Sequence, residues 1–198
     1  MILPIVPYGY PVLREETEPV AEDSPALQGL LDDMAETMQN ASGLGLAAPQ
    51  VGRSERVFVV DLAALDADEA DAFAAATGAD PSGVAAFVNP EVSDAEASDF
   101  CDYEEGCLSI PDVRENVRRP EAVRIRFLDR ALRPHDLVVG GTLARVVQHE
   151  ADHLDGVLFI DHLSALRRRL LQRRLRAIAR GEAEAEYPLA APGRLSPA

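Results

Sequence analysis

Gln148-His149-Glu150-Ala151-Asp152-His153-Leu154-Asp155-Gly156 is the stretch on which the reading of this chain turns. Two histidines four residues apart lie one above the other on an α-helix, so both imidazoles can reach one metal ion. The glutamate between them points close to the remaining coordination position, where water would sit. A Lewis acid and a general base within one helical turn point to a metal-dependent hydrolase.

Working outward, Leu143, Val146 and Val147 give the same helix an apolar side, and Gly140-Gly141-Thr142 leads into it. Upstream, Leu137–Val139 reads as a short strand. Val123, Ile125 and Phe127 alternate with outward-facing Arg124 and Arg126 in another. Arg56–Asp61 and Val84–Asn89 read as buried strands, the second halted by Pro90. Leu62 to Gly83, rich in Ala and Asp, reads as a surface excursion with a short helix. Near the start, Ser24-Pro25 has the form of an N-cap and first helical residue. Leu27, Leu30, Leu31, Met34 and Met38 then recur at helical spacing, with Gly43 as a stop. Asp161 to Arg180 predicts a last helix and Gly181 to Ala198 a flexible tail. The order predicts one α+β domain over residues 1–180, with mainly antiparallel β-sheets around a central helix carrying H-E-x-x-H, and a C-terminal helix.

Composition narrows the function classes. With 198 residues, 47% of them apolar, the chain can bury one substantial core. The net charge is −15, and all 19 basic residues are Arg, which argues against nucleic acid as the main substrate. No apolar run approaches the roughly 20 residues that span a bilayer, so no membrane role is expected. Met1 to Pro7 lacks the basic region and apolar core of a secretory signal. Cys101 and Cys107 alone make no disulfide framework, and a reducing cytoplasm is the expected location.

Two histidines need a third protein ligand to make a catalytic site with one open position. Many H-E-x-x-H proteases supply a Glu about one helix downstream, but Leu163 to Arg180 contains no acidic residue. The pattern with a third His after a Gly fails as well, because Phe159 holds that position. His162 lies within reach but matches neither spacing. Cys107, in Glu104-Glu105-Gly106-Cys107-Leu108-Ser109-Ile110-Pro111, offers a thiolate, a strong ligand.

Glu105-Gly-Cys-Leu-Ser109 and His149-Glu-Ala-Asp-His153 resemble two of the three signature motifs of peptide deformylases, and Gly43-Leu-Gly-Leu-Ala-Ala-Pro-Gln-Val-Gly52 resembles the first. The similarity runs from about Ile5 to Leu166 with the motifs in family order. Pro11-Val-Leu-Arg14 and the Arg114, Val117, Arg119 pattern also look like the family. Leu44 stands where Ile is more usual, and residues 62–83 exceed the common connection.

This resemblance implies removal of the formyl group from the N-terminal Met of new polypeptides, with N-formylmethionyl peptides as substrate. It implies Cys107, His149 and His153 as ligands and Glu150 as the base that later delivers its proton to the leaving amine. The Gln50 amide and the Leu108 N–H would donate to the formyl oxygen. Gly43 and Gly45 would let the peptide approach as an added strand. Leu143 and Val146 would wall the methionine slot, with the stem of Arg145 at its rim. Around the ligands, Glu105 is expected to pair with Arg119, and Asp152 to accept a nearby hydrogen bond. The family points to Fe(II), although one thiolate and two imidazoles also suit Zn(II), Co(II) or Ni(II).

Outside the motifs, Cys101 reads as a core or surface residue, His135 as a turn residue and His162 as structural. In the last helix Leu163, Leu166, Leu170, Leu175 and Ile178 form a stripe expected to dock on the domain. Seven arginines between Arg167 and Arg180 read either as a solvated face or as a contact for the ribosome. Two rival functions are a zinc endopeptidase and a non-enzymatic ribosome-binding module with a vestigial metal site. The first lacks its expected downstream ligand, and the second has no need of Cys107, Gln50 and Glu150.

Overall fold

The computed structural model describes residues 1–95 and 98–191. Helix α1 (Pro25–Asn40) opens as its sequence signals: the Ser24 hydroxyl accepts from the Leu27 N–H at 3.1 Å, and Pro25 sits in the first turn. Along the chain follow β1 (Gly45–Ala47), β2 (Val57–Asp61), helix α2 (Ala67–Thr77), β3 (Val84–Asp94), β4 (Phe100–Cys107), β5 (Ile110–Pro120), β6 (Ala122–Leu128) and β7 (Pro134–Gly140). Helix α3 (Gly141–Leu154) carries both histidines, and α4 (Ala165–Ala179) is the last helix. A five-stranded antiparallel sheet has the order β1-β2-β3-β6-β7, and β4 and β5 form a separate hairpin. The chain is therefore α+β, with the antiparallel sheets expected from its pattern.

The period of two along β2 divides the core. Val57 and Val59 face α1 and meet Leu27, Leu31, Met34 and Met38, whereas Phe58 and Val60 face α3. On the α3 side Phe87 stacks at 4.6 Å from Phe58 and 4.5 Å from Phe127, and Val147, Ala151 and Leu154 cover them. Eleven of the fourteen α3 residues are buried, including Arg145, Gln148, His149 and Glu150. A polar helix face buried this deeply must be satisfied from elsewhere, which singles it out as the site.

Several elements differ from their sequence reading. Strand β3 does not stop at Pro90: Asn89 takes a positive φ of 49°, the register shifts between Val88 and Glu91, and pairing with β6 resumes. Proline, lacking an N–H, is accommodated in such a bulge. The β4–β5 hairpin was not anticipated, because much of it is solvated and its sequence lacks sustained apolar alternation. The 62–83 excursion is no mere surface loop: α2 packs Ala70 and Phe73 into the core.

His135 lies on β7 rather than in a turn, its ring 5.1 Å from that of Phe127. The last helix begins at Ala165, after a 3₁₀ turn that holds Asp161 and His162. Its docking stripe is narrower than expected. Leu163, Leu175 and Ile178 are buried, but Leu166 and Leu170 are 68% and 66% exposed. The region read as a flexible tail is docked through Ala191: Ile5 N–H donates to Pro188 O and Ala190 N–H to Ile5 O, each at 2.8 Å. Residues 192–198 of that tail lie outside the described residues.

Candidate metal centre

At the end of β4 the hairpin register shifts between Gly106 and Cys107, so that Cys107 pairs with Ile110 across a two-residue turn. That turn brings the thiol against the polar face of α3. One ligand atom from each of Cys107, His149 and His153 lies within 4.8 Å of the others. The Cys107 Sγ is 3.2 Å from His153 Nε2, and the two imidazoles meet edge to face at 5.1 Å. His162, the other ligand reachable by distance, instead turns to Asp152, with Nε2 at 2.7 Å from the carboxylate.

Behind these three side chains lies a buried ionic network. His149 Nδ1 is 3.0 Å from Glu105 Oε2, which leaves Nε2 of that ring for a metal. Arg119 grips the Glu105 carboxylate with Nε at 2.7 Å and Nη2 at 3.0 Å, and sends Nη1 to Asp152 at 2.7 Å. The expected Glu105–Arg119 pair is present, and Asp152 accepts from Arg119. Arg145 also donates to Glu105, at 3.1 Å, and to the Val117 and Cys101 carbonyls. Cys101, half-buried, accepts a further contact from Arg145 on its sulfur at 3.1 Å.

The charges are mutually dependent. Burial opposes ionisation of Cys107, but His153 and His149 outweigh it and bring the thiol down to about 5. Burial likewise opposes charge on His149, yet Cys107 and Glu105 raise it well above its ordinary value. Burial also opposes the Glu105 carboxylate, and His149 and Arg119 overcome it, so it stays ionised far below the usual range. Glu150 differs: burial pushes its carboxyl up to about 7 despite the neighbouring imidazoles. Its Oε2 and the His153 Nδ1 are buried without a hydrogen-bond partner among the described residues. A thiolate beside two imidazoles is a donor set suited to a divalent first-row cation, so the residues fit such an ion.

Cys107, His149, Glu105 and Glu150 line a cleft of about 770 Å³. Gln50 is buried; its Oε1 accepts from Ala47 N–H at 2.8 Å, which turns Nε2 toward Cys107 Sγ at 3.5 Å. Leu108, Gly43, Gly45, Val146 and Arg145 all line the cleft. A Cβ on Gly45 would lie 2.6 Å from Glu150 Oε1 and 2.8 Å from Val146, so glycine is needed for α3 to approach. One expectation needs correction. Leu143 does not wall the cleft; one step around the helix from Thr142, it faces the sheet core. Arg145 does line the cleft, as expected of its stem, but its guanidinium is drawn inward by Glu105 and the two carbonyls. Sequence reasoning missed Tyr187, whose hydroxyl donates to Leu108 O at 2.8 Å. Its only signal was a lone aromatic residue in the segment after the last helix.

The fold and donor set define an α+β chain with one Cys and two His placed so that they could hold a metal ion. The polypeptide deformylase family model matches residues 2–169. A peptide deformylase of Salinibacter ruber is 56% identical over 189 residues, covering 96% of this chain and 94% of that protein. One of Cytophaga hutchinsonii is 44% identical, covering 97% and 98%. Among solved structures, a peptide deformylase from Legionella pneumophila superposes with a TM-score of 0.75 at 36% identity, covering 92% of this chain and 98% of that one. The chain belongs to the polypeptide deformylase family, hydrolases acting on N-formyl peptides. None of its described helices is long and apolar enough to cross a membrane.

Proposed function

We propose that this chain removes the formyl group from the N-terminal formyl-Met of newly made polypeptides in the cytoplasm and releases formate. The reading rests on the convergence of Cys107, His149 and His153 beside a buried Glu150 carboxylate with an unpartnered oxygen. Cys107, His149 and His153 would hold one divalent cation, Fe(II) in the cell, with Zn(II), Ni(II) or Co(II) suited to the same ligands. When bound, the cation supplies a Lewis acid and lowers the pKa of water to about 7.

Glu150 takes a proton from the attacking water and passes it to the departing amine nitrogen. The Gln50 Nε2, turned inward by the Ala47 N–H, and the Leu108 N–H donate to the formyl oxygen as it gains negative charge. β1 is an edge strand of the main sheet and its Gly45 lines the cleft, so an extended peptide can add beside it. Val146 supplies an apolar wall for the methionine side chain.

The arginine face of α4 is the second part of the reading. Arg174 pairs with Asp112, Arg167 with Glu115 and Arg180 with Glu182, whereas Arg168, Arg169, Arg173 and Arg176 have no acidic partner among the described residues. In so acidic a protein this solvated cationic face, with Leu166 and Leu170 exposed in it, suits a ribosomal surface.

The test of the activity is anaerobic purification with metal analysis, then formate release from formyl-Met-Ala-Ser with each metal, beside a blocked internal peptide. Formate release without internal cleavage is expected. Internal cleavage without formate overturns the reading.

A further inference from the structure

Beyond α4 the chain doubles back along the mouth of the cleft, in a segment past residue 169, where the family match ends. Gly181 turns it with a φ of 74°, and from Ala183 to Leu189 every second residue is the less exposed one. Ala183 packs with the hairpin and α4, Tyr187 and Leu189 pack against the α1 side of the core, and Ala190 joins Val6 and Leu13. The two backbone bonds to Ile5 and the Tyr187 hydroxyl on Leu108 O fix the strap just beyond Glu186. The opposite phase, Glu184 and Glu186, is exposed and lines the cleft.

The charges facing the cleft come from four elements. On β4 and β5, Glu104 lies 3.9 Å from Arg114, and Asp112 pairs with Arg174. On α3, Arg145 is neutralised by Glu105, and His149 is held by that same carboxylate. Glu184 and Glu186 on the strap have no cationic partner among the described residues. The floor of the same cleft holds the buried, unpartnered Glu150 Oε2, which marks it as a place where a ligand completes the hydrogen bonding.

We propose that this strap is one wall of the peptide groove, and that Glu184 and Glu186 select formylated peptides carrying a Lys or Arg side chain shortly after the methionine over peptides with an acidic residue there. The inference rests on the deformylase reading. Two solvent-exposed charges acting on one ligand charge give about a three- to tenfold preference at low salt. That preference shrinks at 1 M salt, where screening acts within about 3 Å.

The test uses C-terminally amidated formyl-Met-Ala-Lys and formyl-Met-Ala-Glu carrying a fluorophore, with Kd measured by anisotropy alongside formate release. Wild type should bind the Lys peptide about three- to tenfold more tightly at low salt. Glu184→Gln/Glu186→Gln should lose that preference. Glu15→Gln/Glu16→Gln, which removes the same charge away from the cleft, should keep it. Equal affinity of wild type for the two peptides, or an undiminished preference in the strap variant, overturns the proposal. Absence of formate from every peptide, with the binding preference intact, would instead count against the deformylase reading.

Discussion

The Glu69 carboxylate on α2 caps the first turn of α3: Thr142 N–H donates to Oε1 at 3.0 Å and Leu143 N–H to Oε2 at 3.2 Å. Two donors that the helix cannot satisfy itself are thereby paired with a negative charge at its positive end. Gly141 makes room for the contact. Its φ is 59°, and a Cβ there would lie 2.0 Å from Glu69 Oε1. The 62–83 excursion thus steadies the helix that carries His149 and His153. Glu69→Ala is expected to cost about 1–2 kcal/mol in urea unfolding. An unchanged midpoint would show that the cap contributes nothing.

Glu105 is the acidic hub behind the ligands, in contact with Arg119, Arg145 and His149. Glu105→Ala would leave buried Arg145 without an acidic partner among the described residues and Arg119 with Asp152 alone, a loss of about 3–5 kcal/mol. Glu105→Gln keeps the shape but weakens the hold on His149 Nδ1. Metal affinity, measured by competition with a chelator, should fall about 10- to 100-fold. Wild-type affinity in the Gln variant would mean that the imidazole is oriented without this contact.

The two groups assigned to proton transfer and oxyanion binding should separate from metal binding. Glu150→Ala is expected to retain metal and lose about 100- to 10,000-fold in kcat. Gln50→Ala should lose about 100- to 1000-fold. Steady-state kinetics beside metal analysis checks both, and wild-type turnover in the Glu150 variant contradicts the assigned base.

For the cationic face of α4, truncation is a poor probe, since it would also remove buried Leu175 and Ile178. Arg168→Glu/Arg169→Glu/Arg173→Glu changes only side chains that lack an acidic partner among the described residues. Co-sedimentation with ribosomes should weaken in this variant and, for wild type, with added salt. Identical sedimentation of variant and wild type leaves α4 as a solvated face.

The convergence of Cys107, His149 and His153 was legible in part, because histidines at i,i+4 share one helix face, whereas the sulfur comes from 42 residues upstream and is brought in by the hairpin turn. The strand pattern of β2 and β6 could be read because one or both of their faces are buried. The β4–β5 hairpin could not, since its solvated residues carry no apolar alternation. The inward turn of Arg145 depends on Glu105, forty residues away, and no local pattern encodes it. Glu69 and Tyr187 act across the fold in the same way, and only tertiary packing reveals them.

The most direct measurement is X-ray absorption at the metal edge of the protein loaded with one equivalent of Zn(II) or Co(II). One sulfur at about 2.3 Å and two imidazole nitrogens at about 2.0–2.1 Å are expected, with the sulfur absent in Cys107→Ser. A first shell made only of nitrogen and oxygen in the wild-type protein would contradict the account.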